Sequence, residues 1–243
     1  MVTVIDGAGT PERAWLPWLD ALDLPALPLT PAPDRVVVVA PHPDDEVLAV
    51  GGLLALLAGL GTAVEVVAVT DGEASNPGGS LPPPELAVRR VAETHAALAA
   101  LGVPAAVRRL ALPDGGAAGL EQPVLDALAL APGTGRLAPF AHDGHPDHEA
   151  VGRACRRAAD RDGARLLAYP VWAWHWATPD DPRLPWSRTR RVELPEPVRR
   201  AKRRAVDAFS TQVRAAGPLP ADAPVLPPEV LARFDRGWEA VFA

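Results

Sequence analysis

Two short stretches hold most of the residues that could do chemistry. "PHPDDE" (41–46) offers His42, Asp44, Asp45 and Glu46, and "GHPDHE" (144–149) offers His145, Asp147 and His148. In each, proline directly follows the first histidine, at the position where helices accept it. In each, a second potential ligand lies three residues after that histidine: Asp45 after His42, and His148 after His145. Side chains three residues apart in a first helical turn project to the same side. Two converging turns would therefore bring four N/O ligands to one point, with Asp44 and Asp147 beside them. A mixed His/Asp set suits zinc, whose catalytic sites commonly keep three protein ligands and one open position. Iron(II) and other divalent ions accept similar ligands. Such an ion lowers the pKa of bound water. A carboxylate outside the ligand set can take the proton, and an imidazole can stabilise an oxyanion or protonate a leaving amine.

These turns need rigid elements behind them. "RVVVVA" (35–40) is apolar on both faces, the mark of a parallel strand covered by helices. A helix over 46–60 follows and stops at Gly59 and Gly61. "VEVVAVT" (64–70) is a second buried strand, and 71–84 is a long Pro- and Gly-rich loop whose part 74–84 could close as a lid. A helix ends at Gly102, a strand and turn span 107–116, and a helix spans 122–131. "GRLAPF" (135–140) is a strand that leads to the second motif and its helix. Strands at 165–171 and 188–194, a helix over 195–213, and a Pro-rich tail closing in a short helix complete the pattern. Residues 1–34 read as an N-terminal extension with a short helix near 11–22, and 35–243 as one domain. The fold class is α/β: a single-domain, Rossmann-like, doubly wound and mostly parallel sheet with helices on both faces. Ligands of such sheets bind at the carboxyl ends of the strands, where "PHPDDE" falls.

Composition narrows the function. The chain has 243 residues, 48% of them hydrophobic, and a net charge of −6. No global field favours nucleic acid or an anionic membrane. The longest apolar run, 47–60, is too short to span a bilayer. The N-terminus has no signal-peptide pattern. The single cysteine, Cys155, excludes a disulfide framework and a cysteine zinc ribbon, and it fits a cytoplasmic protein. With Val151 and Ala158 it lies on a stripe that reads as core. "APHPDDE" is no Gly-rich phosphate loop, which argues against a dinucleotide enzyme. "RRAKRR" (199–204) reads as a solvated helix face, and His95 as structural. In "PVWAWHWATP" (170–179), Trp172, Trp174 and Trp176 share one face if the segment is extended, with His175 on the other. Such a row could stack on a sugar or line an acyl pocket, or anchor the loop to the core.

The paired motifs, about a hundred residues apart and each at a strand–helix junction, resemble those of the LmbE-like, or PIG-L, zinc-dependent de-N-acetylases. "TDGE" (70–73), "RVAETHAALAALGV" (90–103), "LPDG" (112–115) and "KRRAVDAFSTQ" (202–212) add to the likeness, which covers about 35–212. The resemblance implies one Zn²⁺ per chain on His42, Asp45 and His148. It implies Asp44 as general base and His145 as the imidazole that stabilises the tetrahedral intermediate or protonates the leaving nitrogen. It implies sugar contacts from Arg90 and Asp114. Some members carry tyrosine two residues before the first histidine of the second motif, to polarise the amide carbonyl. Here that residue is Asp143, which could meet substrate or orient an imidazole. The implied activity is removal of an N-acetyl or other N-acyl group from a small molecule containing an amino sugar. Runner-up readings are an amidase of a larger thiol-sugar conjugate or acyl glycopeptide, and a non-catalytic sugar- or metal-binding module. Trp174 and His175 stand as further candidates for substrate contact.

Overall fold

The valine run becomes β1 (Arg35–Ala40), the third strand of a seven-stranded sheet. The others are β2 (Ala63–Thr70), β3 (Ala106–Leu112), β4 (Gly135–Pro139), β5 (Leu166–Tyr169), β6 (Thr189–Glu193) and β7 (Trp238–Phe242). The computed structural model describes residues 7–116, 119–128 and 134–243. The strand order is β3-β2-β1-β4-β5-β7-β6. The first five strands are parallel, and β7 lies antiparallel between β5 and β6.

Nine helices of the described residues pack around it. The larger ones are α1 (Glu12–Ala21), α2 (Asp45–Gly59), α3 (Pro83–Leu101), α4 (Glu121–Ala127), α5 (Pro146–Asp162) and α7 (Glu196–Asp207); α6 (Ala173–Trp176), α8 (Ser210–Val213) and α9 (Pro228–Leu231) are single turns. Alternation within β1 explains the two cores. Val36 and Val38 face a core that holds Leu53 of α2, Leu98 of α3 and Ala205 of α7. Val37 and Val39 face a second core with Val124 of α4 and Ala154 and Cys155 of α5. Cys155 is thus core, and burial pushes its thiol up to about 12.

The chain order turns back between β1 and β4. From β1 it steps to β2 and β3 on one side, while β4 and β5 lie on the other. Such a switch point opens a crevice at the carboxyl ends of the two central strands. "PHPDDE" leaves β1 there and "GHPDHE" follows β4.

Three sequence expectations are corrected. The tail closes in strand β7 rather than a helix: "WEAVF" is aromatic and β-branched, all five residues are buried, and the short run carries no helical period of its own. The helix expected over 195–213 breaks at Phe209 (φ −78°, ψ 58°) into α7 and α8. The buried Glu93 carboxylate draws the break, accepting from Ser210 Oγ (2.6 Å), Thr211 N (2.8 Å) and Thr211 Oγ1 (2.7 Å). Helix α2 is kinked at Val50 (φ −136°, ψ 15°). Glu239 caps the restarted helix by accepting from Gly52 N (2.7 Å) and Leu53 N (2.8 Å), and Lys202 neutralises it at 2.7 Å. Lys202 is therefore buried, while Arg200, Arg203 and Arg204 of the same basic run are exposed. Of the helix expected over 122–131, residues 129–131 lie outside the described residues, as do 1–6 of the N-terminal extension.

Candidate active site

The two His-Pro turns meet. His42 Nδ1 lies 3.2 Å from His148 Nε2 and 3.4 Å from Asp45 Oδ2, and His148 Nε2 lies 3.2 Å from the same Oδ2. Ligands about 2.0–2.1 Å from a tetrahedral zinc ion stand about 3.3–3.4 Å apart. The triangle therefore has the edge length of one face of a zinc tetrahedron. Its supports are fixed as well. Asp45 Oδ2 accepts from His42 N at 2.9 Å. When the ring is neutral, His148 Nδ1 donates to Asp143 Oδ2 at 2.8 Å and Nε2 carries the lone pair facing the triangle. His42 Nε2 lies 3.2 Å from Asp114 Oδ1 and 3.3 Å from Asp147 Oδ2, so in the neutral ring Nδ1 likewise carries the lone pair.

The electrostatics ask for a cation. Burial opposes a charged His148 ring, but Asp45 and Asp143 outweigh it and raise its pKa to about 9. Burial also opposes charge on His42, yet hydrogen bonds to Asp114, Asp147 and Asp45 hold its pKa well above the usual range. Burial penalises the Asp114 anion, and His42 nevertheless pulls it down to about 2. Asp147 Oδ1 is buried without a partner. A divalent ion on His42, Asp45 and His148 would neutralise this surplus of buried carboxylate.

Asp44 stands beside the triangle and outside it. It occupies the positive-φ region (φ 120°, ψ −32°), a strained position for a non-glycine residue. Its N–H donates to Glu46 Oε2 at 3.2 Å, and its carbonyl accepts the first helical bonds, from Val47 N and Leu48 N. Burial raises its pKa, against the pull of Arg90, to about 7. Burial likewise pushes the Glu46 carboxyl up to about 8. Arg90 reaches over from α3 to clamp the turn. It donates to Asp44 Oδ2 (3.0 Å), Pro43 O (2.6 Å) and Gly72 O (2.9 Å). A side chain at Gly72 (φ +69°) would overlap that guanidinium. His145 flanks the triangle, its ring 4.8 Å from that of His42 and 5.0 Å from that of His148. Its Nδ1 accepts from Asp147 N (3.2 Å), so the proton of the neutral ring sits on Nε2. Burial, with His148 and His42 alongside, lowers its pKa to about 3.

Residues 37–159 match the family model described as PIG-L: GlcNAc-PI de-N-acetylase. The chain belongs to the PIG-L family. No curated protein matches it at the same standard. Solved structures share the PIG-L fold at low identity. A deacetylase of the teicoplanin biosynthetic pathway, as a triple mutant, has TM-score 0.60 and 22% identity over 73% of this chain and 82% of its own. The N,N'-diacetylchitobiose deacetylase of Pyrococcus horikoshii has TM-score 0.56 and 21% identity over 82% and 79%. A 4-carboxy-2-hydroxymuconate hydratase from Pseudomonas putida has TM-score 0.51 and 21% identity over 74% and 80%. The last shows that this fold alone does not fix the reaction.

In this PIG-L chain the site opens into a cleft of about 390 Å³ lined in part by His42, Asp44, Asp45, Arg90, Asp114 and His145. The other sequence candidates lie elsewhere. Asp143 is fully buried and reaches no cleft surface. Its Oδ1 accepts from Val171 N (3.0 Å) and Ala173 N (2.9 Å), and its Oδ2 from Trp172 N (2.9 Å) besides His148. It orients an imidazole and holds the 171–173 segment. That segment leads into α6, so the three tryptophans do not share an extended face. The three N–H groups that converge on Asp143 impose the helical turn. Trp174 is buried edge-on against Trp15 at 5.1 Å, and His175 Nδ1 lies 3.0 Å from Arg233 Nη1; neither lines the cleft. Trp172 does line it, as do Ser75, Gln212, Val225 and Leu226. Those last four come from loops and a single-turn helix, whose composition carries no positional signal. Among the described residues no helix is long and apolar enough to cross a membrane.

Asp143→Ala should weaken metal affinity by about 10–100-fold, because His148 loses the carboxylate that orients it. Competition with a chromogenic chelator measures this, and unchanged affinity would remove Asp143 from the site.

Proposed function

We propose that the protein is a zinc-dependent hydrolase that removes an N-acetyl or other N-acyl group from an amino-sugar-containing small molecule. The observation that carries this reading is the triangle of His42 Nδ1, His148 Nε2 and Asp45 Oδ2 with the Asp44 carboxylate and the His145 ring beside it. His42, Asp45 and His148 would hold the ion. When bound it supplies Lewis acidity, acidifying water and polarising a carbonyl.

The chain's own residues do the rest. Asp44, ionised above about pH 7, takes the proton of the attacking water. Arg90 fixes that carboxylate and its strained turn. His145 presents Nε2–H to the developing oxyanion, and the proton taken up by Asp44 passes to the departing nitrogen. Asp114 faces the cleft beside Arg90, where it can accept from a sugar hydroxyl. Membership of a de-N-acetylase family supports an amide as the bond attacked. Deacetylases of a glycopeptide pathway and of diacetylchitobiose on the same fold support an amino sugar beside it.

The test is release of free amine by the metal-loaded protein from N-acetylglucosamine, its glycosides and an N-acyl glycopeptide. Amine release from any of them is expected. Hydration of an unsaturated acid with no amide cleaved would replace this reading by the hydratase one.

A pH prediction follows from Asp44. Its pKa is raised by burial and lowered by Arg90, so kcat/KM falls as pH drops and the base protonates. Arg90→Ala removes the lowering partner, and the acid limb of the profile should move to higher pH. An acid limb that stays in place or moves down would contradict the assignment of Asp44.

A further inference from the structure

The carboxylate that orients His148 depends on a helix that cannot stand by itself. Asp143 accepts from Val171 N, Trp172 N and Ala173 N, at the entry to α6. Helix α6 is one turn of four residues, Ala173–Trp176. A single turn fixes several dihedral angles for very few hydrogen bonds, so it does not persist without outside contacts. The carbonyls of its last residues also have no partner within the helix. Whatever satisfies them holds the turn in place, and with it the three N–H groups aimed at Asp143.

The segment that precedes the sheet does this. Thr10 N donates to His175 O at 2.8 Å, Thr10 Oγ1 donates to Ala177 O, and Trp15 Nε1 donates to Trp174 O at 2.9 Å. Three carbonyls at the end of α6 are thereby capped from the far end of the chain. The fit is close: Gly9 sits at φ +59°, and a Cβ there would come within 2.6 Å of His175 O.

The C-terminal segment clamps these residues in turn. Arg233 is buried; it donates to Thr10 O from Nε (2.9 Å), to Ala8 O from Nη2, and to His175 Nδ1 from Nη1 (3.0 Å). A planar guanidinium suits this junction, because its fixed fork holds several acceptors in one arrangement. Arg236 pairs with both Glu12 oxygens at 2.7 Å, and its guanidinium lies 4.3 Å from the centre of the Trp174 ring. All of these residues lie outside 37–159, the part of the chain that the family model matches.

We infer that residues 8–15, clamped by Arg233 and Arg236, are a positioning element of the metal centre: they cap α6, α6 holds Asp143, and Asp143 orients His148. This rests on the metal site proposed above. Trp15 and Arg233 are positioning residues, remote from the reacting atoms. A loosened α6 withdraws N–H donors from Asp143, and a carboxylate so freed no longer fixes the imidazole.

The experiment measures zinc affinity of the full chain, by competition with a chromogenic chelator, in a double-mutant cycle. Arg233→Ala and Trp15→Phe are each made in the wild-type chain and in Asp143→Ala. Trp15→Phe keeps an aromatic ring in the core and removes the N–H, so it decides the matter if Arg233→Ala does not fold. Each is expected to weaken zinc binding by about three- to tenfold, less than removal of Asp143 itself. In the Asp143→Ala chain each should cost less than about twofold, because the link they act through is already gone. Affinity within about twofold of wild type in the single variants overturns the inference. So does a loss of the same size in the Asp143→Ala background, which marks a general loosening of the fold. Amine release is measured on the same wild-type protein. Coupled losses of zinc affinity with no amine released from any N-acyl sugar overturn the hydrolase reading and leave the positioning element. Amine release with unchanged or uncoupled affinity does the reverse.

Discussion

Asp44→Asn should keep its metal and lose hydrolysis by about 10²–10⁴-fold in kcat. The amide side chain still accepts from Arg90 through its oxygen but can take no proton from water. Asp44 is outside the triangle of His42, Asp45 and His148, so the metal:protein ratio should match that of the wild type. Arg90 then faces a neutral group within a buried site, which costs some stability. The loss should lie in kcat more than in KM, because the proton moves in the transition state and not on binding. Metal analysis of the purified variant, paired with amine-release kinetics, reads both quantities. Wild-type activity in Asp44→Asn would remove Asp44 from the role of base.

His148→Ala should lose both. Its Nε2 is one corner of the triangle and its Nδ1 is the one imidazole donor to Asp143. Removing the ring leaves two ligands of three and a fully buried carboxylate without its charged partner. Metal should fall from about one per chain to a small fraction of that, and amine release to background. The contrast matters more than either variant alone. If Asp44→Asn also lost the metal, or His148→Ala kept it, ligand and base would be wrongly divided. His145→Ala tests the same division from another side: its ring packs against those of His42 and His148, and the three rings place nitrogens within 4.8 Å of one another.

The parts of this site legible in the sequence are those with a local cause. Four valines fix β1 as a strand buried on both faces, and the prolines after His42 and His145 fix where α2 and α5 begin. Strand–helix alternation then puts both turns at the carboxyl end of one sheet. The positions of Asp143, Trp174 and His175 were not legible, because a single carboxylate gathers three backbone N–H groups and turns an apparently extended segment into α6. Strand β7 was missed for a similar reason. Its pairing with β5 and β6 is a contact between distant segments, and its five residues carry no period to distinguish strand from helix. The kink in α2 depends on Glu239, nearly two hundred residues away. The cleft wall likewise depends on Asp222 meeting Ser80 across the molecule. Local pattern identifies the ligands and the elements that carry them. Long-range hydrogen bonds decide what surrounds them.

The central claim is that one divalent ion on His42, Asp45 and His148 makes this chain an amide hydrolase. The most direct measurement strips the purified protein with a chelator and titrates zinc back while following amine release from the best N-acyl sugar. Activity should vanish on stripping and return in proportion to added zinc, levelling at about one equivalent per chain. Full activity in the stripped protein, or no zinc taken up by it, would contradict the claim.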